Sequence, residues 1–189
     1  MMVDYEKLLQ VGKDLLVAIG EDPERDGIKD TPRRFASYWQ EFIEHDCGNI
    51  EVDFDLIDTG QLVIVSGMKV WSMCEHHLLP FWCDVSIGYV PETKILGLSK
   101  FARIANRFAH RPQVQERLVH EIANEISRVT ETENVMVLAT GEHLCMKMRG
   151  VKSTGQMTTV SAKGVFGKDA TIRAEFIQIV NQSSRLSAP

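Results

Sequence analysis

The spacing of apolar residues changes period near residue 50, and that change restricts the architectures open to this chain. Before it, Tyr5, Leu8, Leu9, Leu15, Leu16 and Ile19 fall on one face at a 3.6-residue period, as do Phe35, Tyr38, Trp39, Phe42 and Ile43. Gly20 is the expected stop of the first helix, and residues 21–30, with Pro23 and Gly27, read as a loop. Thr31-Pro32 predicts an N-cap followed by proline at the first helical position, and Cys47-Gly48 ends the second helix. Beyond residue 50, Leu62-Val63-Ile64-Val65 is β-branched and strand-like. Val85, Ile87 and Tyr89 alternate with Ser86 and Gly88, which predicts a strand with one buried face. Ser99 is the expected cap of a helix carrying Phe101, Ile104, Ala105 and Phe108, broken at Arg111-Pro112. A longer helix turns Val114, Leu118, Ile122 and Ile126 inward, residues 135–139 form a buried strand, and residues 171–180 read as the last strand. Helices, then strands, then two helices, then strands predict an α+β fold with an antiparallel sheet, not an alternating parallel one. The expected organisation is an N-terminal helical region over 1–50, a sheet-bearing domain over 51–181 and a flexible polar tail over 182–189.

Charge and composition narrow the partners. With 21 Lys and Arg against 26 Asp and Glu, the net charge of −5 argues against a broad nucleic-acid surface but not against a local basic pocket. No apolar run approaches the ~18 residues of a membrane span. The first residues lack a basic stretch followed by an apolar one, so no secretory signal is expected and the cytoplasm is the default compartment. In that compartment Cys47, Cys74, Cys83 and Cys145 are free thiols or metal ligands sooner than disulfides.

Two short clusters carry the chemistry. Cys74-Glu75-His76-His77 and His143-Leu144-Cys145 hold half of the four cysteines and half of the six histidines. Random placement yields roughly 0.1 Cys-x-x-His pairs in such a chain, so the clustering is informative. Zinc favours thiolate and imidazole ligands in tetrahedral geometry; three protein ligands leave a position for water and four close the site. His143 and Cys145, two apart, would face the same way on an extended segment. The spacings alone do not choose among the His and Cys candidates. Lys100 and Arg103, three apart near the start of a helix that also holds Ser99, suit a phosphate. Arg149 adds a cation beyond the second cluster; the Glu116 carboxylate, beside Gln115 just past a helix start, matches either a guanine edge or an ordinary acid favoured by the helix dipole.

Four motifs, in order, resemble the signatures of GTP cyclohydrolase I. They are Ser-Met-Cys-Glu-His-His-Leu-Leu-Pro-Phe at 72–81, Gly-Leu-Ser-Lys-Phe-Ala-Arg at 97–103, Arg-Pro-Gln-Val-Gln-Glu-Arg-Leu at 111–118 and His-Leu-Cys-Met-Lys-Met-Arg-Gly at 143–150. The resemblance implies zinc held by Cys74, His77 and Cys145, with His76 and His143 off the metal as proton donors and acceptors. It implies Gln115 and Glu116 on guanine, and Ser99, Lys100, Arg103 and Arg149 on the triphosphate, assisted by Arg34. The implied reaction opens the guanine imidazole ring of GTP, releases formate and recloses to 7,8-dihydroneopterin triphosphate. The implied fold is the tunnelling fold, an antiparallel sheet with two helices on one side plus N-terminal helices. The implied assembly is a homodecamer of two pentameric rings with active sites between subunits. Cys83-Asp84 and Ser86 depart from the family's usual residues, which bears on strand packing and leaves the reaction intact.

Overall fold

The computed structural model describes residues 2–50, 53–55 and 60–186. The chain divides into two compact units, Met1–Asp46 and Cys47–Pro189.

The first unit is a pair of helices, α1 (Tyr5–Ala18) and α2 (Thr31–Ile43). Asp4 caps α1, its Oδ1 accepting from the Lys7 N–H at 3.0 Å. Ile19 closes the helix, and Gly20 follows at φ +88°. Helix α2 begins at Thr31 itself, with Asp30 at the cap position, so Pro32 sits one place further in than expected. The missing proline N–H is still one that no helical carbonyl would take. Leu16, Ala36 and Phe42 are buried, and the Tyr5 and Ser37 hydroxyls meet at 3.2 Å.

The second unit is α+β. A five-stranded sheet runs in the order β5 (Pro112–Gln113), β2 (Val63–Cys74), β3 (Pro80–Tyr89), β6 (Val135–His143) and β7 (Met157–Ala162). Its neighbours are antiparallel except β5, which pairs in parallel with β2. A separate pair joins β1 (Asp53–Asp55) to β4 (Lys94–Leu96). Phe81, Cys83, Val85, Ile87 and Tyr89 point to one face, are at most 1% exposed, and pack with α3 (Leu98–Ala109) and α4 (Gln115–Thr130). A bulge between Val65 and Met68 shifts the parity of β2, so Val63 and Val65 before it and Val70 after it all join this core.

Three expectations are corrected here. Residues 171–180 are helical, within α7 (Ala170–Leu186), where Ile172, Phe176 and Val180 recur every four residues and pack with Met136. β-Branched content suggested a strand; the four-residue spacing of the inward side chains decides for a helix. Ser86 and Gly88 do not face solvent, because the same apolar side chains of α7 cover their face. A Cβ at Gly88 would lie 2.5 Å from Phe176 Cδ2, so this close approach requires glycine. Ser99 is not a cap: α3 starts at Leu98 with Gly97 preceding it. The strand expected at 62–65 extends to Cys74, and β7, with alternately half-buried and exposed residues, was not anticipated. Of the polar tail, residues 182–186 continue α7 and 187–189 lie outside the described residues. No helix among the described residues is long and apolar enough to cross a membrane.

Candidate metal centre and its surroundings

β2 delivers Cys74 to the end of the sheet, buried, with its N–H on the Leu79 carbonyl at 2.9 Å. The chain then turns back into β3. The His77 and Leu78 N–H groups both donate to the Cys74 carbonyl, at 3.3 and 2.8 Å, and Leu78 takes φ +51°. Strand β5 braces the turn, the Glu75 N–H donating to the Gln113 carbonyl at 3.1 Å. Gln113 is itself fully buried, its Nε2 donating to Glu121 at 2.8 Å and to the Phe108 carbonyl at 3.2 Å. From α4, Arg117 grips Glu75 with two parallel bonds of 2.7 and 3.0 Å. That guanidinium holds the Glu75 carboxyl below the usual carboxylate range.

β6 supplies the opposite side. Its last residue, His143, pairs across the ladder with Phe81 and lies flat against that ring, centroids 4.6 Å apart at 11°. The extended segment expected through Cys145 ends at His143. The four-residue helix α5 (Leu144–Lys147) begins there and turns Cys145 back toward Cys74. Among the described residues, Cys74, His77 and Cys145 form a group whose ligand atoms lie within 4.8 Å of one another. Cys74 Sγ and His77 Nδ1 are 3.5 Å apart. With Zn–S near 2.3 Å and Zn–N near 2.0–2.1 Å, a tetrahedral site needs an S···N edge of about 3.6 Å, so the donor set and spacing fit zinc. Burial, and then the neighbouring Cys74, raise the Cys145 thiol, while the Arg149 charge pulls it down. His76 stays outside the triad, its ring largely exposed and its Nδ1 3.9 Å from Cys74 Sγ.

Gln115, the first residue of α4, is 1% exposed. Its Nε2 donates to the Ala139 and Met157 carbonyls and to Thr159 Oγ1, each at 3.0 Å, and its Oε1 meets His143 Nε2 at 2.9 Å. Glu116 is exposed beside it. Burial lowers the His143 pKa and the Glu116 charge opposes that shift, so the carboxylate lies within electrostatic reach of the ring.

The phosphate candidates are elsewhere. Lys100 is buried, and its Nζ donates to the Asn49 carbonyl at 2.6 Å, which also accepts from Arg103 at 3.0 Å. Ser99 is exposed at the start of α3. That start adjoins the far end of β3, where the Leu96 N–H donates to Tyr89 Oη at 3.0 Å. The metal triad adjoins the near end, at Phe81 and His143. Eight strand steps, about 26 Å, separate these two ends of β3. Arg149 is exposed just past α5, on the metal side, and Arg34 belongs to the first unit, 3.7 Å from Asp30.

Residues 9–181 match the family model for GTP cyclohydrolase I. The chain belongs to the GTP cyclohydrolase I family. It is 46% identical over 181 residues to GTP cyclohydrolase 1 of Aquifex aeolicus (strain VF5), covering 95% of this chain and 98% of that one. It is 40% identical over 187 residues to that of Hyperthermus butylicus, with 99% and 96% covered. The corresponding protein of Hydrogenobaculum sp. (strain Y04AAS1) is 42% identical over 182 residues, with 96% and 100% covered.

Within this GTP cyclohydrolase I chain, three contributors escaped the sequence reading. Arg117 stands inside a recognised motif, yet its pairing with Glu75 spans 42 positions and no spacing rule reports it. Phe81 was part of the zinc motif but not assigned to stack on His143. A Cβ at Gly141 would collide with Gln115 Oε1 and lie 2.7 Å from Cys83 Sγ, so glycine there makes room for the amide. Cys83 is fully buried, and burial followed by the Asp84 charge pushes its thiol up to about 12, which makes it packing and not a second reactive centre.

Proposed function

We propose that this protein is a zinc-dependent GTP cyclohydrolase I: it opens the guanine imidazole ring of GTP, releases formate and recloses the product to 7,8-dihydroneopterin triphosphate. The observation that carries the reading is the Cys74, His77 and Cys145 triad, its ligand atoms within 4.8 Å of one another, with His143 held beside it on Phe81 and Gln115. Cys74, His77 and Cys145 hold the metal and His76 does not. Zinc, when bound, supplies Lewis acidity that makes water a competent nucleophile near neutral pH. His143 gives a proton to the imidazole nitrogen of the base and so makes the adjacent carbon electrophilic. His76, on the exposed turn, carries the second proton as the ring opens. Glu116 accepts from the guanine N–H and amino groups, with Gln115 behind it. Ser99, Lys100, Arg103 and Arg149 take the triphosphate, with Arg34 assisting; these contacts orient the base and leave the phosphates unchanged.

The separation of about 26 Å between the ends of β3 bears on assembly. Ser99, Lys100 and Arg103 stand toward the end of the sheet away from the triad of their own chain. On this reading a complete site takes Arg149 from the chain that holds the metal and Ser99, Lys100 and Arg103 from a neighbouring copy. This fits a homo-oligomer with sites between subunits; the further reading is a tunnelling-fold decamer of two pentameric rings in the cytoplasm, with a catalytic domain over 51–181 and an N-terminal helical region over 1–50. Incubation of the zinc-loaded protein with GTP should release formate and give pterin fluorescence after oxidation, both abolished by a chelator. Absence of both signals from protein of verified zinc content and oligomeric state would defeat this reading.

A further inference from the structure

We propose that Gln115 is the positioning residue of His143: its amide holds the imidazole with a proton on Nε2 and leaves Nδ1 as the ring nitrogen that exchanges a proton with substrate. The inference rests on the proton-transfer role given to His143 above.

The argument begins with donors and acceptors. A glutamine amide has two N–H donors at one end and only an acceptor at the other. The end near Ala139 and Met157 faces two backbone carbonyls at 3.0 Å, which accept and never donate. That end must be the NH2 group, and Thr159 Oγ1, also 3.0 Å away, shares one of its two hydrogens. Reversing the amide would set its oxygen against both carbonyls, so the orientation is fixed by β6 and β7. The remaining atom, Oε1, can only accept, and it lies 2.9 Å from His143 Nε2. His143 Nε2 must therefore carry its hydrogen.

The ring has little freedom to escape this. It lies flat on Phe81, and a half-turn would replace Nε2 by a carbon and forfeit the bond. Among the described residues, no protein group hydrogen-bonds Nδ1. Gly141, two residues before His143 on the same strand, leaves the space that Gln115 Oε1 fills. At 1% exposure, the Gln115 side chain is committed to the protein, so it acts on the reaction through His143 and leaves the guanine edge to Glu116.

The test has two independent readouts. Long-range proton–nitrogen NMR of histidine-labelled, zinc-loaded protein, with His143 assigned by its loss in His143→Ala, should show a single Nε2–H tautomer when the ring is neutral. An Nδ1–H tautomer, or a fast-averaging mixture, would overturn the proposal. This measurement needs no turnover, so it stands even if the cyclohydrolase reading fails. In the second arm, Gln115→Met should keep its zinc, lose about 10- to 100-fold in kcat, and hold KM for GTP within about twofold. A raised KM with unchanged kcat would make Gln115 a reader of the base and refute its positioning role. If that variant does not fold, the tautomer of the unmodified protein still decides.

Discussion

Replacing Gly88 with alanine would test how α7 is held against the sheet. The new Cβ would lie 2.5 Å from Phe176 Cδ2 and 2.7 Å from Cε2. Comfortable carbon contacts are about 3.5–4.0 Å, so the ring must retreat by about 1 Å. Phe176 is fully buried with Phe166 edge-on to it at 6.2 Å, and the retreat must disturb the packing of α7. Overpacking of this kind costs about 1–3 kcal/mol. Near 2 kcal/mol, the melting temperature falls by about 4–8 °C for a chain of this size. Phe176→Leu removes the ring edge and should cost about 1–2 kcal/mol alone. Combined, the two should cost at least about 1 kcal/mol less than their sum, since the new methyl enters the space the ring vacates. Urea unfolding at one fixed protein concentration, followed by circular dichroism, measures all three variants. Zinc content serves as the control, because Gly88 lies toward the far end of β3 from the metal triad. Strict additivity, or a Gly88→Ala variant within about 0.5 kcal/mol of the parent, would refute the packing described here.

Three further outcomes are expected. Cys145→Ser removes one of the two thiolates and should leave far less than one zinc per chain by atomic absorption; a stoichiometric metal would remove Cys145 from the ligand set. With its pKa pushed up to about 12, Cys83 becomes thiolate only as pH rises through that value. At pH 8 roughly one molecule in 10⁴ is ionised, so iodoacetamide should spare Cys83 in the folded protein and attack it only on unfolding or at extreme pH. Rapid labelling of Cys83 at pH 8, read by peptide mass spectrometry, would contradict its burial. Glu116→Gln should reduce the preference for GTP over inosine triphosphate by about 10- to 100-fold, as expected for a lost charged hydrogen bond. An unchanged preference would take the guanine edge away from Glu116.

The two His and Cys clusters were legible because they stand at short spacings, with Cys74 and His77 three apart and His143 and Cys145 two apart, whereas the choice of Cys74, His77 and Cys145 as the ligand set came only with the resemblance. The α3 and α4 core was legible for a similar reason, since Phe101, Ile104, Leu118, Ile122 and Ile126 repeat at the helical period. What stayed hidden depends on distant parts of the chain. Ser86 and Gly88 look like an exposed strand face until α7 covers it. The commitment of the Gln115 amide is invisible until Ala139, Met157 and Thr159, on two other strands, take its donors. Residues 171–180 misled because isoleucine and valine favour strands locally, whereas packing against Met136 rewards the four-residue spacing of Ile172, Phe176 and Val180.

The distance between the two ends of β3 has a genetic consequence. On the proposed reading, each chain lends its cysteines to one site and its Lys100 to another. A subunit with a ruined metal half is then still useful to its neighbour. Cys145→Ser and Lys100→Ala chains, each inactive alone, should regain turnover when dissociated and reassembled together. With equal amounts and random placement, roughly one site in four would receive two intact halves. An allele that ruins both halves at once would also spoil sites built partly from normal chains, so its loss of activity would exceed its share of the protein, whereas an allele that ruins one half costs no more than its share.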